Sequence, residues 1–407
     1  MDLLLSCFLN SSGLSRAAQE FYRLFERKGL RVATRFITPP NLEFVEKELG
    51  RSMSSSSARV ALDPVQMLVG IPGVVKDFMG RRAFVGSVVI EGNVLSPRQR
   101  KGLSGMDCVM VPTTFCRGAV LRSGYPRKKT FLVPYPLDSS RWNTRVHPSI
   151  PSNGRFRFLF MNSWYERKGW DVLLRSWWNE FSADDPVELV IKTYQDSNRE
   201  RTVEEIMAVE ASRLGVKRTT RAPITIIDQQ MHDEEIPSFM KSFDALVSPH
   251  RSEGFGMNPW YAMALGVPVI CTDYGGVTDF AKDDTAWMIP SLGLSSPSPR
   301  EVAMFPDLAG IQWAEPDGEV LRGLMREVYM DGMAMRQKAH NGAEIVSSQY
   351  SGDGVFEDFG TALRESVPVV WEGLFGEVEF FRLSEQILDQ PAPRLEGLSE
   401  GVRMVEI

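Results

Sequence analysis

Short apolar, β-branched runs alternate along this chain with stretches of helical period, the pattern of parallel strands joined by crossover helices. LLLSCFL (3–9) predicts a buried first strand. It leads through Ser-Ser-Gly into SRAAQEFYRLFERKG, where Ala17, Phe21, Leu24 and Phe25 share one helical face. Further strands are expected at 31–37, 84–92, 107–113 and 129–135. The stretch 144–154 carries His147-Pro148 and Pro151-Ser152-Asn153-Gly154 without periodicity and marks a domain boundary. Beyond it, 155–162, VELVIKT, ITIID, ALVSP and VPVICT predict a second set of strands, with a helix over 169–181. Residues 291–316, punctuated by Pro and Ser, resemble an insertion, and three helical segments follow between 317 and 368.

The expected fold class is α/β, with two Rossmann-like doubly wound domains. Residues 1–150 form the first, 151–350 the second, 351–370 a closing helix and 371–407 a tail. The last 39 residues hold eight acids against three bases.

Composition supports this division. At 407 residues the chain exceeds one hydrophobic core, since domains run to roughly 100–200 residues. With 43% hydrophobic and 24% charged residues it has the material for both domains. No apolar run reaches the roughly 18–20 residues that cross a bilayer. Cys7, Cys108, Cys116 and Cys271 show no metal-ligand spacing, so buried reduced thiols and a cytoplasmic location are expected. The net charge of −6 conceals an asymmetry: residues 1–150 carry 22 Lys+Arg against 11 Asp+Glu, leaving that half at +11 and the remainder at −17. A basic first half implies contact with something anionic.

The segment SPHRSEGFGMNPWYAMALGVPVICTDYGG (248–276) carries most of the chemistry. Gly254 and Gly256 allow close backbone approach, and the helix that follows offers free N–H groups and a positive dipole end, a diphosphate-binding arrangement. Glu253, Gly254, Phe255, Gly256, Ala262, Met263, Ala264, Gly266, Pro268, Val269, Ile270, Thr272, Gly275 and Gly276 all coincide with the EGFGxPxxEAMAxGxPVIxT segment and Gly-Gly turn of family 4 glycosyltransferases, which this chain resembles. FMNSWYERKGWDVLLRSW (160–177) is similar to that family's strand, loop and Arg-Lys-Gly entry to a helix.

The resemblance implies a GT-B fold, two domains facing a central cleft, and retaining transfer of a hexose from a nucleotide diphosphate sugar. A UDP-sugar is favoured over a GDP-sugar, with no other cofactor. Glu253 would orient donor-sugar hydroxyls, Lys168 and Arg167 would neutralise the leaving diphosphate, and the amides of Phe255 and Gly256 would contact it. Gly13, Ser163, His250, Arg251, Gly254 and Tyr261 complete the expected donor-binding set. Two departures stand out: Tyr261 replaces the family's second glutamate, which binds the ribose, and Asn258 replaces its proline. Asn162 and Ser163 stand where many members have an arginine, and Arg251 is the expected substitute. No close carboxylate pair or DxD-like site appears in the motifs, so metal-independent chemistry without a carboxylate nucleophile is expected.

In this architecture the basic half faces the acceptor. Arg81-Arg82, Arg98 with Arg100 and Lys101, and Arg127-Lys128-Lys129 are the candidate contacts. They suit an envelope glycan or lipid acceptor at an anionic membrane surface, with the protein peripheral to it. The alternatives are transfer to modified bases of DNA, where phosphate contacts supply affinity, and a catalytically weak sugar-nucleotide binding protein.

Overall fold

The computed structural model describes residues 2–10, 12–43, 45–56, 64–72, 82–194 and 201–375. Its first sheet comprises β1 (Asp2–Cys7), β2 (Arg31–Phe36), β3 (Val65–Gly70), β4 (Ala83–Val88), β5 (Cys108–Val111) and β6 (Thr130–Leu132). They pair in the order β2-β1-β3-β4-β5-β6, all parallel. Every residue of β3 and β4 is buried, as strands covered by helices on both faces must be.

The second sheet holds β7 (Phe156–Met161), β8 (Val187–Thr193), β9 (Ile224–Asp228), β10 (Ala245–Ser248), β11 (Val269–Thr272) and β12 (Trp287–Ile289). Its order is β12-β11-β10-β7-β8-β9, again parallel. The chain winds outward to one side from β7 through β8 and β9 and to the other from β10 through β11 and β12, so the strand order switches between β7 and β10. In such sheets ligands bind beyond the carboxyl ends of the strands flanking that switch point, and the loops after β7 and β10 carry the two motif segments.

The fold is therefore the expected α/β pair of Rossmann-like domains. β3 and β12 are strands that the sequence pattern did not predict. β3 reads as a loop-flanked run because Gln66 interrupts it; the structure buries that amide and satisfies it with Ser6 Oγ at 3.0 Å.

The 291–316 region is no loose insertion. Strand Ser291–Ser295 pairs antiparallel with Trp313–Pro316, and helix Pro299–Met304 lies between them. Leu308, Ile311 and Trp313 form a small core that packs on Val94 of the first domain, and Asn93 N–H donates to the Gln312 carbonyl at 3.4 Å. The last long helix, Gly352–Ser366, also crosses over. Phe359 packs against Phe25 with ring centroids 4.8 Å apart and planes tilted by 42°, and Leu137 N–H donates to the Tyr350 carbonyl at 2.8 Å. Apart from 371–375, the acidic tail lies outside the described residues.

Candidate active site

The turn Glu166–Lys168 after β7 and the loop after β10 bring Lys168 and Glu253 together: the Lys168 ammonium donates to Glu253 Oε1. Arg167 Nη1 stands 3.5 Å from Glu253 Oε2 and donates to the Ser252 carbonyl at 2.6 Å. A third loop, following β4, contributes Glu91, whose Oε2 accepts from Arg167 Nη1 at 2.9 Å and from Gly254 N–H at 2.8 Å. Glu301, from the 291–316 region, accepts from Arg167 N–H at 2.9 Å.

Two glycines are required here. A Cβ on Gly254 would lie 2.3 Å from Val89 Cγ2 and 2.6 Å from the Ile90 carbonyl oxygen, so only glycine lets the loop seat on the first domain. Gly256 adopts φ 91° at the start of helix Met257–Ala264, which no side chain caps. Uncapped first-turn amides are what an anion needs.

The electrostatics are strongly mutual. Burial pushes the Glu253 carboxyl up, but Lys168, Arg167 and His250 outweigh it and hold it well below the usual carboxylate range. For Lys168, burial and the neighbouring Arg167 charge lower the ammonium, with Glu253 and Glu91 opposing. Both shifts are downward: this favours the charged form of Glu253, which faces two cations, and disfavours that of Lys168, which is buried beside a second cation. Glu91 is raised by burial, against Arg167, and by the nearby Glu253 charge. Among the described residues no group of three or more His, Cys, Asp or Glu could hold a metal ion.

Several expected donor contacts lie elsewhere. Arg251 does not face a free anion position: it is 5% exposed and its guanidinium is taken up by Asp171 at 2.8 and 3.0 Å, Glu315 at 2.7 and 2.8 Å, and the Glu166 carbonyl. A guanidinium so saturated ties the two loops to the hairpin instead. His250 is fully buried, with Nδ1 2.9 Å from the Ser248 carbonyl and Nε2 3.0 Å from the Tyr274 carbonyl. Tyr261 lies in the core, stacked on Trp142 at 3.7 Å and 12°, and its hydroxyl has no hydrogen-bond partner. Its large aromatic area favours that burial. Asn258 donates to the Met161 carbonyl and so ties the helix start to β7, a contact that proline cannot make.

Ser163 Oγ is 3.2 Å from Tyr194 Oη at the carboxyl ends of β7 and β8. Gly13 opens helix Gly13–Arg27, and a Cβ on it would lie 3.3 Å from Met257 Sδ, so at this point the two domains touch. Of the basic residues, Arg98, Arg100 and Lys101 sit on helix Pro97–Leu103, and Arg98 is 3.8 Å from Asp307. Arg127, Lys128 and Lys129 precede β6 and so stand at the amino end of the sheet, whereas Glu91 follows β4 at its carboxyl end. Arg100 and Lys129 line a cavity of about 350 Å³ with Leu95, Ser104, Ser123 and Tyr125. A cavity of about 410 Å³ between the domains, lined by Thr114, Asp279 and Tyr350, includes none of the expected donor residues. Arg81 lies outside the described residues.

Sequence reasoning missed Glu91, Asp171, Glu301 and Glu315. Glu91, Glu301 and Glu315 lie outside the motif segments, and Asp171, though inside 160–177, follows the Arg-Lys-Gly turn without a role in the motif. Their spacing in sequence carries no sign that the fold gathers them around Arg167 and Arg251.

Comparison with known proteins bears on the fold and on the second domain. Residues 155–294 match the family described as Glycosyl transferases group 1. The chain is 33% identical over 86 residues to a lipopolysaccharide core biosynthesis mannosyltransferase of Rhizobium meliloti, which is 20% of this chain and 24% of that protein. It is 29% identical over 133 residues to an uncharacterised glycosyltransferase of Methanocaldococcus jannaschii, 32% of this chain and 33% of that one. The matches thus span a quarter to a third of these curated relatives. Among solved structures, sucrose-phosphate synthase from Thermosynechococcus elongatus superposes with a TM-score of 0.63 at 15% identity, covering 90% of this chain and 98% of that one. Anabaena HepE in complex with UDP-glucose gives 0.64 at 12% identity, with 89% and 99% covered. The described fold is that of the GT-B glycosyltransferases, with the group 1 match confined to the second domain.

Proposed function

We propose that this protein is a retaining, metal-independent glycosyltransferase that moves a hexose from a UDP-sugar to an acceptor on an envelope glycan or lipid. The carrying observation is the Lys168–Glu253 pair, flanked by Arg167 and the uncapped helix at Met257, at the switch point of the second sheet. The donor diphosphate lies against Arg167, Lys168 and the helix amides, which stabilise the charge that builds as the glycosyl–phosphate bond breaks. Glu253 accepts hydrogen bonds from sugar hydroxyls and fixes the anomeric carbon. The acceptor hydroxyl attacks from the face that the phosphate leaves, and a phosphate oxygen takes its proton.

UDP as the nucleotide is supported by the UDP-glucose complex of a structural neighbour. The acceptor class is supported by two relatives whose names specify lipopolysaccharide, the Rhizobium mannosyltransferase and the outer core galactosyltransferase WaaB, and by the +11 charge of residues 1–150. No helix among the described residues is long and apolar enough to cross a membrane, so contact with an anionic cytoplasmic surface would be peripheral.

Thermal unfolding with UDP-, GDP- and ADP-sugars, paired with assay of nucleoside diphosphate release, tests the donor. A UDP-hexose at 100 times its Kd should add about 2.7 kcal/mol of stability. No shift and no release with any of the three rejects the reading. Binding to anionic vesicles without binding to duplex DNA at low salt is expected for the acceptor side; the reverse outcome rejects the envelope acceptor in favour of DNA.

A further inference from the structure

The two cations of the site are already matched, one for one, by carboxylates. Lys168 is bound by Glu253, and Arg167 by Glu91, which reaches in from the opposite domain. Glu91 Oε2 accepts from Arg167 Nη1 at 2.9 Å and from Gly254 N–H at 2.8 Å, a guanidinium and a backbone amide converging on one oxygen. That is the donor set an anionic phosphate oxygen takes. The Glu91 side chain is 23% exposed, on the loop that leaves β4, and its backbone carbonyl is held in turn by Ser252 Oγ. Backbone anchoring fixes the loop while leaving the carboxylate free to swing out. An arriving diphosphate adds at least two negative charges to a neutral cluster, so one of the resident carboxylates must yield. Glu253 is the more tightly held: its carboxyl is depressed below the ordinary range, whereas that of Glu91 is raised.

We propose that Glu91 is an anion placeholder: in the donor-free protein its carboxylate occupies the phosphate position between Arg167 and the Gly254 amide, and the donor's diphosphate displaces it. Glu91 thereby sets donor affinity and is a positioning residue, not a catalytic one. It holds Arg167 Nη1 at 2.9 Å, closer than the 3.5 Å to Glu253 Oε2, and so keeps the guanidinium at the phosphate position. This inference rests on the donor reading above.

The test is calorimetric titration of the full chain with UDP and with uridine, for the wild type and Glu91→Gln, with unfolding temperatures measured in parallel. Glu91→Gln keeps an oxygen for the Gly254 amide but removes the competing charge. One like charge removed at hydrogen-bonding range from a phosphate corresponds to about a tenfold gain at a partly buried site. UDP should therefore bind about ten times more tightly to Glu91→Gln, uridine should bind both proteins equally, and the variant should unfold at a lower temperature without ligand but gain more from UDP. A merely structural Glu91 would lower both the unfolding temperature and the UDP affinity. UDP affinity that is unchanged or weaker in Glu91→Gln overturns the placeholder while leaving the donor reading intact. Failure of the wild type to bind UDP, GDP or ADP sinks both. Should Glu91→Gln not fold, Glu91→Asp, whose carboxylate sits one methylene further back, is read the same way: tighter UDP supports the proposal and unchanged UDP overturns it.

Discussion

Replacing Lys168 by methionine keeps the aliphatic stem and removes the ammonium that Glu253 accepts from. The Lys168 and Glu253 side chains are 13% and 10% exposed, so this is a nearly dry pair. Removing one partner from such a pair costs about 3–5 kcal/mol. Arg167, 3.5 Å from the other Glu253 oxygen, recovers part of it, and a loss of about 2–3 kcal/mol at neutral pH follows. Glu253→Gln alone should cost a similar amount. The double variant, with neither charge present, should be less destabilised than the sum of the two singles by at least about 1 kcal/mol. Donor cleavage should fall about 10²- to 10³-fold in all three, since each lacks a group that stabilises the breaking bond or orients the sugar. Urea unfolding gives the stability cycle and single-turnover release of UDP gives the chemistry. Because the folded Glu253 carboxyl lies below its unfolded value, its stabilisation is present above the unfolded pKa and is lost as pH falls through the folded one. Wild type and Lys168→Met should therefore converge in acid. Strict additivity of the two singles, or cleavage within tenfold of wild type in either, would refute the assignment.

Other consequences follow from single groups. Gly254→Ala places a Cβ 2.3 Å from Val89 Cγ2 and should part the domains, lowering transfer at least about 100-fold while the second domain keeps its fold, as read by activity and small-angle scattering. Tyr261→Phe removes a buried, unpartnered hydroxyl and should leave donor KM unchanged while stability holds or rises by up to about 1 kcal/mol; a several-fold rise in KM would show the hydroxyl reaching the ribose. Burial raises the Glu20 carboxyl to about 7, opposed by Arg23. Its contribution is fully present below the unfolded pKa and is lost as pH rises through about 7, so Glu20→Gln should gain up to about 3 kcal/mol over wild type at pH 8 and nothing at pH 4, measured by denaturant unfolding. Arg251→Ala leaves Asp171 and Glu315 facing each other and should cost about 3–5 kcal/mol; a melting temperature equal to wild type would show the cluster to be inert.

The alternation of buried strands and amphipathic helices was enough to disclose two doubly wound sheets, because a parallel strand covered on both faces leaves an apolar run in the sequence. β3 escaped because Gln66 breaks that run, and its amide donates to Ser6, a partner sixty residues away in sequence. Motif matching brought out Lys168 and Glu253, whose neighbours in sequence carry glycines at fixed spacing. It misjudged Arg251 and His250, since a motif position says which residue is adjacent in sequence and nothing about which carboxylates or carbonyls fold onto it. Glu91 and Glu301 were invisible for the complementary reason: each meets Arg167 only through tertiary contact.

The crossing of helix Gly352–Ser366 bears on how the chain is made. Phe359 lies against Phe25, Cys108 Sγ against the Ala362 carbonyl, and Tyr350 against Leu137, so the first domain is sealed by residues translated long after it. A ribosome that has released residues 1–150 has delivered a sheet whose outer layer is still missing, and at about 5–20 residues per second that layer arrives tens of seconds later. Over that interval the face of Phe25 that Phe359 covers is open, and chaperone capture or premature association should peak then. Genes cut at residue 150 would leave that state permanent.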